Sequence, residues 1–193
     1  LDPMCGSGTF LTEAAMMALD RAPGLTRSFG FERLKNVQSN AWQKLRDAAR
    51  ERQKSSIKTE LYGSDLYGDV LKVARANLAA LGVESAVTLK QVNVLESSPP
   101  AGSGIIVANP PYGVRLNELD ELAAFYPRLG DTLKRKYSGW TAYILTADLR
   151  LAKLIGLKPS KRTPLFNGAL ECRLFEFKLV AGGMRDKPAI PGS

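Results

Sequence analysis

The chain has 193 residues, 45% of them hydrophobic, which suffices for one well-buried core and gives little reason to divide it. Histidine is absent and the two cysteines, Cys5 and Cys172, show no C-x-x-C spacing, so chemistry that needs an imidazole base is excluded and a disulfide framework or zinc site is disfavoured. A formal net charge of +8 and a pI near 9.6 point to a polyanionic partner, nucleic acid first.

No apolar run approaches the roughly 20 residues of a membrane helix, and no signal segment opens the chain, so a cytoplasmic protein is expected. The chain begins inside a glycine-rich turn, Asp2-Pro3-Met4-Cys5-Gly6-Ser7-Gly8-Thr9, of the kind that follows a strand. The body of that strand is therefore expected before Leu1. Thr9 is the expected N-cap of a helix running from Phe10 to Leu19. Residues 22–40 mix Pro23, Gly24 and Gly30 with polar residues and read as an irregular excursion. A helix then spans Asn40 to Lys54, with Trp42, Leu45 and Ala49 on its apolar stripe and Lys44, Arg46, Arg50 and Arg52 largely off it.

Glu60 to Asp65 reads as a strand ending in an acid, Asp69 to Leu81 as an amphipathic helix stopped by Gly82, and Ala86 to Val92 as the next strand. A loop over 97–102 leads into the β-branched run Gly104 to Ala108, which the prolines of Asn109-Pro110-Pro111-Tyr112 end at once. Leu119 to Tyr137 is helical, with Phe125, Leu129 and Leu133 at four-residue spacing, and Thr141 to Thr146 is a strand. Asp148 to Ile155 is a short helix. Lys158 to Leu165 and Leu170 to Val180 form two strands joined at Asn167-Gly168, a strong hairpin signal. The order predicts an α/β, doubly wound, mostly parallel sheet with an antiparallel edge hairpin at its C-terminal end. Residues 1–182 make one domain, and 183–193 read as a loose terminal segment.

Three positions carry candidate chemistry. Gly6-Ser7-Gly8 lets a ligand approach the backbone and aims helix N-terminal N–H groups at it, yet it lacks the fingerprints of a dinucleotide or triphosphate site. A nucleoside without a diphosphate fits better. Asp65, closing the second strand, is placed to accept hydrogen bonds from ribose hydroxyls, and Asn93, ending the third, to meet an adenine edge. Asn109-Pro110-Pro111-Tyr112 suits a planar amine: the Asn109 amide oxygen and the Pro110 carbonyl accept its N–H groups, the prolines stiffen the backbone, and Tyr112 stacks on the ring. No metal ligand set is expected.

The run Asp2 to Phe10, together with Asn109-Pro110-Pro111-Tyr112-Gly113, resembles the S-adenosylmethionine-dependent methyltransferases. The longer run Asp2 to Ala15, the proline turn extended to Leu116 and the segment Asn167-Gly168-Ala169-Leu170-Glu171-Cys172 together resemble the bacterial guanine-N2 methyltransferases of large-subunit (23S) ribosomal RNA. The resemblance implies a Rossmann-like fold, S-adenosylmethionine held by Asp2, Pro3, Met4, Cys5, Gly6, Ser7, Gly8, Thr9, Asp65 and Asn93, and a target base held by Asn109, Pro110, Pro111 and Tyr112. It further implies an RNA-binding THUMP domain upstream, and 23S rRNA or a ribosome assembly intermediate as partner. Many relatives carry Asp where this chain has Asn93. The basic clusters at Lys134-Arg135-Lys136, at Lys158 to Arg162 and on the helix near residue 50 suit a phosphate-tracking surface. An adenine-N6 DNA methyltransferase and a non-catalytic nucleic-acid-binding subunit are the rival expectations.

Overall fold

The computed structural model describes residues 1–111 and 116–181; Tyr112 and the segment 183–193 lie outside them. The elements run α1 (Thr9–Ala18), α2 (Ser39–Glu51), β1 (Leu61–Asp65), α3 (Gly68–Ala80), β2 (Val87–Gln91), β3 (Gly104–Ala108), α4 (Leu116–Lys136), β4 (Trp140–Thr146), α5 (Leu149–Leu154), β5 (Lys161–Asn167) and β6 (Leu170–Lys178). Each predicted element is present, displaced by a few residues at its ends.

β1 pairs in parallel with β2, and β3 with β4, while β6 runs antiparallel between β4 and β5. Residues Leu1 and Asp2 join the two groups. The Leu1 amine donates to the Ile105 carbonyl at 2.8 Å and the Leu1 carbonyl accepts from Val107, while Asp2 exchanges backbone bonds with Tyr62 and Ser64 on the other side. The strand order is therefore β2, β1, residues 1–2, β3, β4, β6, β5. The carboxyl ends of the parallel strands consequently open on one edge, where a ligand crevice forms in such sheets.

The larger core lies around β3, β4 and β6, where Ile106, Ala108, Ile144 and Phe177 meet Tyr126, Leu129 and Leu133 of α4. A second cluster joins Ala15 and Met16 of α1 to Leu78 of α3 and Val83. Gly130 sets how closely α4 approaches the segment after α5: a β-carbon there would collide with the Ile155 carbonyl oxygen. Gly130→Ala is expected to destabilise the fold by about 1–3 kcal/mol through overpacking. For a domain of this size that lowers Tm by roughly 2–12 °C. A thermal scan showing an unchanged Tm would count against so close an approach.

Two local expectations change. Thr9 is the first helical residue of α1, not its cap: Gly8 occupies the cap in the left-handed conformation (φ 83°) and no side chain caps the end. Only glycine adopts that backbone without a steric penalty. The apolar stripe on α2 does not enter the core either. None of its residues is buried, and Leu45 is 64% exposed. Trp42 instead packs edge-on against Phe29 and Phe31, with ring centroids 5.6 and 5.0 Å away, so the excursion makes its own small aromatic cluster.

Candidate active site

The turn after Asp2 is held open by two glycines with positive φ, Gly6 (54°) and Gly8 (83°), and is tied to the end of β1. The Gly6 N–H donates to Asp65 Oδ2 at 3.0 Å, and the Tyr67 N–H to Asp65 Oδ1 at 3.1 Å. Each carboxylate oxygen keeps lone-pair capacity for a further donor. Asp65 thus shapes the turn and still presents acceptors beside it.

Two cavities flank this turn and share Met4 and Gly6. The first, about 660 Å3, is bordered by Asp65, Asn93 and Pro111, with Leu66, Val94 and Phe125 as apolar walls. A carboxylate at a strand end beside apolar walls matches what a nucleoside needs: acceptors for ribose hydroxyls and flat surfaces for a base. Asn93 Oδ1 accepts the Leu95 N–H at 3.0 Å and keeps a second lone pair, so its oxygen and its amide N–H groups can both meet a ligand. The second cavity, about 490 Å3, brings Asp2, Cys5, Ser7 and Thr9 to Asn109, Leu165, Asn167 and Cys172. Gly8 borders neither cavity; a β-carbon on it would stand 3.2 Å from the Ala74 β-carbon, so its place is in the packing of α1 against α3.

The proline turn is anchored from behind. Pro110 is buried, and the Tyr126 hydroxyl of α4 donates to the Pro111 carbonyl at 3.2 Å. Asn109 is exposed at the end of β3 and faces the second cavity. Of the residues singled out for the target amine, Asn109 and Pro111 therefore border the two cavities, Pro110 supports them, and Tyr112 lies outside the described residues.

Residues 1–176 match the RMKL-like methyltransferase domain family. The chain belongs to that family. The "Ribosomal RNA large subunit methyltransferase K/L" of Shewanella sp. (strain MR-4) is 41% identical over 196 residues, which cover 99% of this chain and 28% of that protein. The chain thus spans a little over a quarter of the curated relatives it matches. Among solved structures, SMU.472, described as a methyltransferase and complexed with SAH, superposes with a TM-score of 0.86 at 34% identity, covering 94% of this chain and 48% of that one. A possible methylase from Clostridium difficile 630 does so with a TM-score of 0.87 at 31% identity and the same coverages.

The fold is accordingly the Rossmann-like one of this methyltransferase family, antiparallel edge included. Within it, Leu145 and the β5–β6 hairpin form the far wall of the Asn109 cavity, a feature no strand-end argument reveals. The sequence signal was present as Asn167 to Cys172, but the pairing register corrects its reading. Asn167 is the last residue of β5, opposite Leu170, and the two-residue loop is Gly168-Ala169, with Gly168 at φ 61°. Gly at the first loop position is the type II′ preference, and it leaves Asn167 in the strand, on the cavity side. Both cysteines are free thiols, buried, and border this same cavity. Cys5 is pushed up to about 12, chiefly by burial and then by the nearby Asp2 and Asp65 charges, so it stays a thiol at neutral pH.

Asp2 is 4% exposed, and its carboxylate accepts the Met4 N–H at 3.2 Å. Burial raises its carboxyl from the ordinary 3.8 to about 7, against the opposing pull of that bond. The folded protein binds this proton more tightly than the unfolded chain. The resulting stabilisation is complete below about pH 4 and is lost as pH rises through about 7, a change on the order of 4 kcal/mol. Asp2→Asn is expected to flatten the pH dependence of unfolding free energy across that window. Denaturant titrations between pH 4.5 and 8 that give parallel curves for both proteins would refute it.

Proposed function

We propose that this domain transfers a methyl group from S-adenosylmethionine to the exocyclic N2 amine of a guanine in 23S ribosomal RNA. The observation that carries the reading is the meeting of the Asn109 amide, at the end of β3, with the Asp2–Thr9 turn in one cavity that adjoins the Asp65 cavity. Asp65, Leu66 and Asn93 would hold the nucleoside part of the cofactor, and Met4, Gly6 and Asp2 its methionyl part. A cation beside Asp2 favours the ionised carboxylate, so binding draws the proton off that residue. When bound, the cofactor supplies a methyl group on a sulfonium, a good leaving group.

The protein's task is then placement. An exocyclic amine on a base is a poor nucleophile because its lone pair is delocalised into the ring. The Asn109 amide oxygen, joined by the Pro110 carbonyl, accepts its N–H groups and favours the geometry in which the lone pair points at the methyl carbon. Tyr126 holds the proline turn through the Pro111 carbonyl, so the acceptors are set before the base arrives. Tyr112 is assigned to stack on the base, which must leave its own stack to enter. The amine proton is lost to solvent at the exposed mouth, and no imidazole is required.

The family resemblance supplies guanine and ribosomal RNA; the net charge of +8 supports a polyanionic substrate. An upstream THUMP domain would add grip on the RNA, and the assembly substrate places the protein in the cytoplasm. Incubating the full-length protein with labelled cofactor and, separately, rRNA, DNA and protein tests the reading. Label in rRNA recovered as N2-methylguanine is expected. Label only in DNA replaces it with an adenine-N6 methyltransferase, and label nowhere with a binding subunit.

A further inference from the structure

The three basic clusters differ once their neighbours are counted. On α2, Arg50 pairs with Asp47 at 2.7 Å, Arg52 with Asp20 at 3.3 Å, and Arg46 lies over Trp42 while donating to the Leu25 carbonyl. At the end of α4, Lys136 donates to the carbonyls of Leu95 and Ser97, and Lys134 and Arg135 occupy the last turn, where the helix dipole favours cations. Both clusters thus have local structural roles.

The third builds a cavity. Lys158 and Arg162 converge with Lys153 of α5 and Arg173 of β6 around a space of about 350 Å3 whose lining contains no carboxylate. Among the described residues Lys153, Lys158 and Arg162 form no ion pair, and Arg173, paired with Glu171 at 3.0 Å, keeps a buried Nε without a hydrogen-bond partner. Arg162 extends over the Phe175 ring, 6.0 Å from its centroid, so an apolar floor backs the charges. Three unpaired cations held beside a fourth repel one another, and the floor lowers the local dielectric that would screen them. An anion with several acceptor oxygens relieves that repulsion.

The cavity's place on the hairpin selects the anion. Directly paired residues share a face of the sheet, so Arg162 with Phe175 and Pro164 with Arg173 lie on one side of the β5–β6 hairpin. Leu165 with Cys172, and Asn167, lie on the other, against the Asn109 cavity. Phe166, 74% exposed at the hairpin edge, borders the Asn109 cavity with Leu165 and Asn167 and offers a stacking surface there. One hairpin thickness therefore separates a base-sized cavity from a cationic one.

We propose that Lys153, Lys158, Arg162 and Arg173 bind a backbone phosphodiester of the substrate RNA, adjacent to the nucleotide whose base enters the Asn109 cavity. The hairpin is gripped from both sides: base on one face, phosphate on the other. This rests on the reading of RNA as substrate.

The test compares Lys158→Ala/Arg162→Ala with a control of equal charge change on α2, Lys44→Ala/Arg50→Ala, both in the full-length protein. Binding of an rRNA fragment is followed by fluorescence anisotropy across a salt series. The hairpin variant is expected to bind roughly tenfold more weakly, with the slope of log affinity against log salt reduced by about 1, while the α2 control keeps the wild-type slope. KM for RNA rises while kcat and cofactor affinity hold. An unchanged slope in the hairpin variant, or equal losses in both variants, overturns the proposal. So does stabilisation of the wild type by inorganic phosphate, lost in the hairpin variant, with RNA binding unaltered, because the site then takes free phosphate only. If the wild type binds but does not methylate rRNA, the functional reading fails while the binding comparison still decides the cavity.

Discussion

Asn109→Ala is expected to lower kcat for methyl transfer by about 10²–10³-fold, the range found when one preorganised hydrogen-bonding group at a reacting centre is removed. The side chain is exposed at the end of β3 and borders the cavity away from Asp65, so its truncation leaves the core and the nucleoside cavity as they are. Cofactor affinity measured by calorimetry should therefore stay within a few-fold of wild type. The separation matters because it distinguishes an amine-orienting group from one that merely completes the cofactor site. Retained turnover sinks the assignment, as does a matched loss of cofactor affinity.

Asp65→Ala should act in the opposite way. Two ribose hydroxyls donating to a carboxylate are worth about 1.5–3 kcal/mol each, so their loss raises the cofactor Kd by about 100-fold or more. The substitution also strips acceptors from the Gly6 and Tyr67 N–H groups, so some of the loss comes from a loosened turn. A cofactor analogue lacking the 2′-hydroxyl separates the two causes. It should bind wild type markedly less well than the parent cofactor, and Asp65→Ala equally well as the parent. If the analogue discriminates as strongly in the variant as in wild type, Asp65 only shapes the turn.

Much of this site was legible because strand-end chemistry is local. A short apolar run ended by two prolines must stop where Asn109 stands, and an acid closing a strand before a helix must face the crevice once the sheet is parallel. The α2 stripe failed for the complementary reason. Helical spacing reports which residues share a face, not whether that face meets a core, and Trp42 found Phe29 and Phe31 instead. Thr9 failed as a cap because a left-handed glycine ended the turn one residue earlier.

By itself the sequence determined the order of elements, the absence of any imidazole chemistry, and the residues that end β1, β3 and β4, since these follow from composition and from backbone rules acting over a few positions. Only the tertiary structure decided which of the basic clusters lines a cavity, and that Asn167 belongs to a strand facing Asn109 and not to a turn. Register is set by pairing between strands, and a shift of one residue turns a side chain to the other face. Charge becomes a site only when distant segments bring it together, as α5, β5 and β6 do around Arg162.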